Sequence, residues 1–190
     1  MAKIITPDYM FASYRDITPE FLHGLGVKGL LIDIDNTLAP YEQDLPDDNI
    51  KAWFKSLSDN GIGAALISNN GAERVELFNR EIGIPAFYKS GKPFPKNLYK
   101  AMAALGSDVT NTAMLGDQLL TDAGAGNHIG LKTIIVPPIK DKNKLFFRCK
   151  RRLEVPTIKK FVKNRGEEYR EICAFWLEGR YKKNYKKDSK

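Results

Sequence analysis

The sequence predicts an α/β fold: a doubly wound, mostly parallel sheet with helices on both faces. Three observations carry this. Short apolar runs recur at 29–34 (GLLIDI), 63–67 (GAALI), 111–115 (NTAML) and 131–136 (LKTIIV), with a shorter candidate at 84–88 (IPAFY). Stretches of helical period lie between them. The runs are continuous rather than alternating, as expected of parallel strands buried on both faces.

The helices follow from spacing. Residues 49–61 carry apolar side chains at 50, 53, 54 and 57, with Gly61 at the stop. Residues 73–83 repeat the pattern at 75, 77, 78 and 82, and residues 97–106 at 98, 101, 102 and 105. Strands alternating with such helices pair in parallel through right-handed crossovers. Residues 156–177 read as one more helix or two, interrupted at Gly166. Phe161, Tyr169, Ile172, Phe175 and Trp176 are the candidate docking residues.

The 190 residues fit one domain with an appended segment. The net charge of +7 is unevenly placed. From Lys140 onward there are 18 Lys and Arg against 7 Asp and Glu, a net +11, which leaves −4 on residues 1–139. The expected organisation is a core at 1–139, a basic helical extension at 140–180 and a disordered Lys-rich tail at 181–190. Such a segment suits an anionic membrane surface, or nucleic acid, or is a solvated face. Nucleic acid is the weaker expectation.

Cys149 and Cys173 are far apart and in no metal-ligand spacing, so both are expected as free thiols in a reducing cytosol. The first ten residues lack the apolar stretch of a signal peptide, and no run reaches bilayer-spanning length. The expectation is a cytoplasmic protein, soluble or peripheral on the inner face of the membrane. His23 and His128 read as structural or solvent-facing. Tyr9, Phe11 and Tyr14 read as core packing in preference to membrane contact.

In open α/β sheets ligands bind beyond the carboxyl ends of the strands. Those ends carry Asp33-Ile34-Asp35-Asn36-Thr37, then Ser68-Asn69-Asn70, then Gly116-Asp117 with Asp122 five residues on. Lys92 lies between the last two, in SGKPFP. A carboxylate can attack phosphorus and divide one hard step into two easier ones. Repulsion between the carboxylate and a phosphate dianion calls for a hard cation, and Mg²⁺ takes oxygen ligands of the kind Asp33 and Asp117 offer. Asp35, on the same side of the strand end as Asp33, can give and take the proton. Ser68 can hold phosphoryl oxygens and Lys92 can neutralise charge.

In this order and spacing, Asp33-x-Asp35-x-Thr37, Ser68, Lys92-Pro and Gly-Asp117-xxxx-Asp122 resemble the four motifs of the haloacid dehalogenase (HAD) superfamily, over roughly residues 27–137. The resemblance implies Asp33 as nucleophile and metal ligand, and Asp35 as acid/base with its carbonyl on the metal. It implies Asp117 as a metal ligand, Lys92 as the charge-stabilising lysine, Thr37, Ser68 and Asn69 as substrate-binding residues, and Asp122 as support. Dehalogenating members lack the second aspartate, so Asp35 favours ester hydrolysis. The gaps from Thr37 to Ser68 and from Ser68 to Lys92 leave no room for a cap domain. GVKGLLIDIDNTL, LISNN and LGDQLLTDAGAGNHIGLKTIIVPPI are similar to the subclass IIIA, YqeG-type branch, which is itself similar to phosphatidylglycerophosphate phosphatases of mitochondria and plastids. Two positions depart from it: Ile34 where lipid-phosphatase members often have Lys, and His128 where a basic residue is expected. The implied activity is Mg²⁺-dependent phosphomonoester hydrolysis through an aspartyl phosphate. Three substrates or partners are in view: a lipid phosphate first, a soluble sugar phosphate or nucleotide second, and nucleic acid or the ribosome third.

Overall fold

The computed structural model describes residues 4–140 and 145–178, without the side chains of 145–150. Residues 181–190, expected as a disordered tail, lie outside the described residues.

Six parallel strands form one sheet: β1 (Tyr9–Met10), β2 (Gly29–Ile32), β3 (Gly63–Ile67), β4 (Ala86–Phe87), β5 (Thr112–Gly116) and β6 (Lys132–Ile135). Their spatial order is β1-β6-β5-β2-β3-β4. The chain leaves the central β2 toward β3 and β4, then returns to β5 on the other side. The winding direction therefore reverses between β2 and β5, and the crevice at their carboxyl ends is the place for a site. The four apolar runs all became strands, and β2 and β5 are buried along their whole length. The 84–88 candidate pairs with β3 only at Ala86 and Phe87. β1 had no sequence signature: two residues are too few to show a period, and its register comes from β6.

The helices are α1 (Pro19–Gly24), α2 (Asp48–Asp59), α3 (Ala72–Asn79), α4 (Lys96–Leu105), α5 (Gly124–Ile129), α6 (Leu145–Arg165), α7 (Tyr169–Ile172) and α8 (Ala174–Glu178). The Asp47 side chain caps α2 by accepting from the Ile50 N–H at 2.9 Å, and the helix buries Ile50, Trp53, Phe54 and Leu57 against the sheet. One face of the sheet is covered by a cluster including Leu30, Ile32, Trp53, Leu57 and Phe78. The other is covered by Leu31, Ile67, Leu98, Met102 and Met114. Tyr14 is buried edge-on against Trp53, while Tyr9 and Phe11 pack on Phe21, so these aromatics serve the core. His23 caps Asn60 O at the surface, and His128 is exposed.

The C-terminal helices form a third layer. Ile158, Phe161, Val162, Phe175 and Trp176 pack with Met10, Leu119 and Ile135 at the β1–β6 edge. All the sequence-expected docking residues lie in this cluster. α6 begins eleven residues before the expected start and runs through Pro156, and the break falls at Gly166, whose φ of 125° suits glycine. Cys173 is a buried free thiol, pushed up to about 12 by burial; the Cys149 side chain lies outside the described residues.

Candidate active site

Four segments meet at the carboxyl end of the sheet. The first follows β2. Asp33 continues the strand by donating its N–H to Leu115 O at 2.9 Å, and Asn36 then turns the chain with φ 66°. The second follows β3. Ser68 donates its N–H to Phe87 O at 3.0 Å, and its own carbonyl accepts from Ser90 N at 2.9 Å. This ties the Ser68-Asn69-Asn70 turn to the 88–92 loop. The third is that loop, which delivers Lys92 into the interior. The fourth follows β5, where a π-helical turn (Leu119–Ala123) swings Asp122 back over the strand end. A Cβ on Gly116 would stand 2.2 Å from Asp122 Cγ, so the Gly-Asp-x4-Asp spacing needs glycine in first place.

Lys92 is the hub. Its Nζ lies 2.7 Å from Asp33 Oδ1, 2.7 Å from Asp122 Oδ1 and 2.8 Å from Ile67 O. The Asp122 contact is an ion pair rather than an aligned hydrogen bond; Asp122 Oδ2 accepts from Gln118 N at 3.0 Å. Burial alone would lower the Lys92 ammonium, but Asp122 and Asp33 outweigh it and hold it above its usual value. Asn69, expected to bind substrate, spends its side chain on this lysine. Its Oδ1 accepts from Lys92 N at 2.9 Å and Ser90 Oγ at 2.8 Å, and its Nδ2 donates to Lys92 O at 3.2 Å. Thr37 is also turned inward, with Oγ1 3.5 Å from Asp33 Oδ2.

Asp35 sits in a separate network. It accepts from Asn70 Nδ2 at 2.6 Å, Arg74 Nε at 3.2 Å and Ser68 Oγ at 3.4 Å. Asp33, Asp35, Ser68, Asn69 and Lys92 line a small polar cleft, joined by Tyr41, Asn70, Gln118, Thr121 and Asp122. Tyr41 is pushed up to about 12 by burial and by the facing carboxylates of Asp35 and Asp33.

The carboxylates of Asp33, Asp117 and Asp122 offer oxygens within 4.8 Å of one another. Asp117 is fully buried; Arg151 pairs with its Oδ2, while Oδ1 has no hydrogen-bond partner among the described residues. Burial pushes Asp117 up to about 6 despite Arg151, with Asp122 adding to the rise. Asp33 is raised well above the usual range by burial, against the pull of Lys92, with Asp122 and Asp117 adding repulsion. An unpartnered buried carboxylate oxygen among hard oxygen donors, in a field short of positive charge, fits a hard divalent cation. Asp33, Asp117 and Asp122 are the candidate residues to hold it; Oδ1 of Asp33 and Oδ1 of Asp122 each also face Lys92 Nζ.

Sequence reasoning missed Arg74, Tyr41 and Arg151. Each lies on an element whose place beside the site depends on the crossovers. Arg74 sat in plain view in a helical stretch, but helical period says only which face is apolar.

The family description "HAD-hydrolase-like" matches residues 89–138, which include Lys92, Asp117 and Asp122. A relative from Bacillus subtilis, "Probable phosphatase YqeG", is 34% identical over 154 residues, covering 81% of this chain and 90% of that protein. The chain belongs to the YqeG branch of the HAD superfamily. It is a HAD-type phosphatase. Two further relatives are named phosphatidylglycerophosphate phosphatase 1. One, from Chlamydomonas reinhardtii, is 29% identical over 77% of this chain, and one, from Arabidopsis thaliana, is 27% identical over 85%. The matched region spans 56% and 49% of those longer proteins. Among solved structures, the cobalt-bound deoxy-D-mannose-octulosonate 8-phosphate phosphatase of Haemophilus influenzae aligns with a TM-score of 0.50 and 16% identity. That alignment covers 76% of this chain and 96% of that one, a likeness of fold.

Proposed function

We propose that this phosphatase hydrolyses a phosphomonoester through an aspartyl-phosphate intermediate, with Mg²⁺ as cofactor and a lipid phosphate, phosphatidylglycerophosphate, as substrate. The observation that carries the chemistry is the Asp33–Lys92 pair set beside the open Oδ1 of Asp117. Asp33 attacks phosphorus through the oxygen that Lys92 leaves free. Lys92, fixed by Asp122 and by the Asn69 clamp, balances the charge on the nucleophile. Asp35 gives a proton to the leaving alkoxide, then takes one from the water that cleaves the acyl phosphate. Ser68 and the backbone N–H groups of its turn hold phosphoryl oxygens. Mg²⁺, held by Asp33, Asp117 and the Asp35 carbonyl, would neutralise the phosphate and lower the repulsion that attack must overcome.

The lipid assignment is supported by the two plant and algal relatives and by the uncapped cleft, which leaves a large substrate unobstructed. No helix among the described residues is long and apolar enough to cross a membrane. We place the protein in the cytoplasm, peripheral on the inner face of the membrane, held there by its +11 C-terminal segment.

The test is a substrate panel with Mg²⁺, comparing phosphatidylglycerophosphate in mixed micelles with sugar phosphates and nucleotides, and with Asp33→Asn as the blank. A kcat/KM for the lipid at least tenfold above every soluble ester supports the assignment. A soluble ester at the top of the panel refutes the lipid assignment and leaves the chemistry standing. Turnover by folded Asp33→Asn refutes the chemistry.

A further inference from the structure

The basic C-terminal segment is not all solvated surface. Arg151, from the first half of α6, is buried against the β5 end of the site, its side chain only 14% exposed. Its guanidinium grips one residue twice: Nη1 donates to Asp117 O at 2.8 Å and Nη2 to Asp117 Oδ2 at 2.5 Å. It is itself held from two sides. Glu154 Oε2 accepts from Nη1 at 3.1 Å, and the Phe175 ring lies 5.3 Å from the guanidinium carbon.

Glu154 ties this grip to the rest of the site. Its carboxylate is 1% exposed. Oε1 accepts from Leu119 N at 2.9 Å and Leu120 N at 3.4 Å, at the start of the turn that carries Asp122. Oε2 also accepts from Trp176 Nε1 at 2.9 Å, bringing in α8. A buried carboxylate with its acceptors filled this way makes a rigid, directional network rather than a loose charge contact. A planar fork that takes a carbonyl and a carboxylate oxygen of the same residue leaves that residue one orientation. For Asp117 that orientation leaves Oδ1 as the free oxygen.

We propose that Arg151 is a positioning residue for the metal ligand Asp117, so that the C-terminal layer completes the phosphatase site rather than decorating it. The proposal rests on the reading that Asp117 holds Mg²⁺. Residues that hydrogen-bond a ligating carboxylate fix its rotamer, and their loss typically costs about 10–100-fold in metal affinity or activity. Arg151 acts here by orientation, against the direction of its charge. A cation beside a metal site repels Mg²⁺, so a purely electrostatic role would make its removal tighten binding.

The experiment is calorimetric titration of the full chain with Mg²⁺ alone, for wild type, Arg151→Ala and Arg151→Lys. Far-ultraviolet circular dichroism selects the folded variants. Lysine keeps the charge and most of the volume but has one ammonium in place of the fork. Both variants are expected to bind Mg²⁺ at least about tenfold more weakly than wild type. If Arg151→Ala does not fold, Arg151→Lys decides. A folded variant that binds Mg²⁺ as tightly as wild type, or more tightly, overturns the proposal while the metal reading stands. A wild-type chain that binds no Mg²⁺ overturns the metal reading and this proposal with it.

Discussion

Replacing Asp117 by Asn separates stability from function with opposite signs. Asp117 is fully buried, and burial raises its carboxyl from 3.8 to about 6. The folded state therefore binds this proton more tightly than the unfolded chain does. Ionising Asp117 in the metal-free protein costs stability progressively between about pH 4 and pH 6, and the whole cost applies above pH 6. The gap between the two values corresponds to about 3 kcal/mol, at about 1.4 kcal/mol for each tenfold change in proton affinity. Asn carries no charge to desolvate but loses part of the attraction to Arg151, which retains Glu154. The net expectation at pH 8 in chelator is a gain of about 1–3 kcal/mol, and about 2–4 °C in Tm for each kcal/mol in a chain of this size. Differential scanning calorimetry at pH 8 and pH 4.5 measures it. The variant should melt several degrees above wild type at pH 8 and lose most of that advantage at pH 4.5. Mg²⁺ should raise the wild-type Tm and leave the variant unmoved, and activity should be lost. An Asp117→Asn protein that melts below wild type at pH 8 without metal would refute the claim that this site stores uncompensated negative charge.

Three more outcomes follow from the same geometry. Asp35→Asn should slow esters with poor leaving groups far more than activated aryl esters, which need less protonation in the transition state; equal slowing across a leaving-group series would give Asp35 a structural or metal-binding task instead. Lys92→Met strands Asp33 and Asp122 without a counter-charge, so urea denaturation at pH 7 in chelator should show a loss of about 3–5 kcal/mol, smaller at pH 5 where Asp33 takes up a proton more readily; an unchanged midpoint would contradict the ion-pair hub. The chain should sediment with anionic vesicles at low salt and not with neutral ones, because each Lys or Arg near an anionic bilayer contributes about 1 kcal/mol and salt screens it. Removing residues 181–190 should weaken that binding without slowing hydrolysis of a small ester, and tight RNA binding in place of vesicle binding would refute the membrane role.

Much of the fold and the site was legible because the signals are local. Parallel strands buried on both faces leave unbroken apolar runs such as 29–32 and 63–67, and amphipathic helices keep their period. Asp33, Asp35, Ser68, Lys92, Asp117 and Asp122 stood out because they sit where those runs end. Their order alone brought them to one crevice once the winding was known. The sequence by itself determined the fold class and the carboxylate set, while the reversal point between β2 and β5 came with the strand order. Only the tertiary structure decided which side chains do what around that set. Asn69 clamps the Lys92 loop because two strand-end loops are laced together there. Arg74 reached Asp35 from the first turn of α3. Arg151 sits in a run of basic residues whose composition reads the same whether it faces water or a buried aspartate. What distinguishes the two is a partner 34 positions away, and pairing over that distance is set by packing, on which a local window has no purchase.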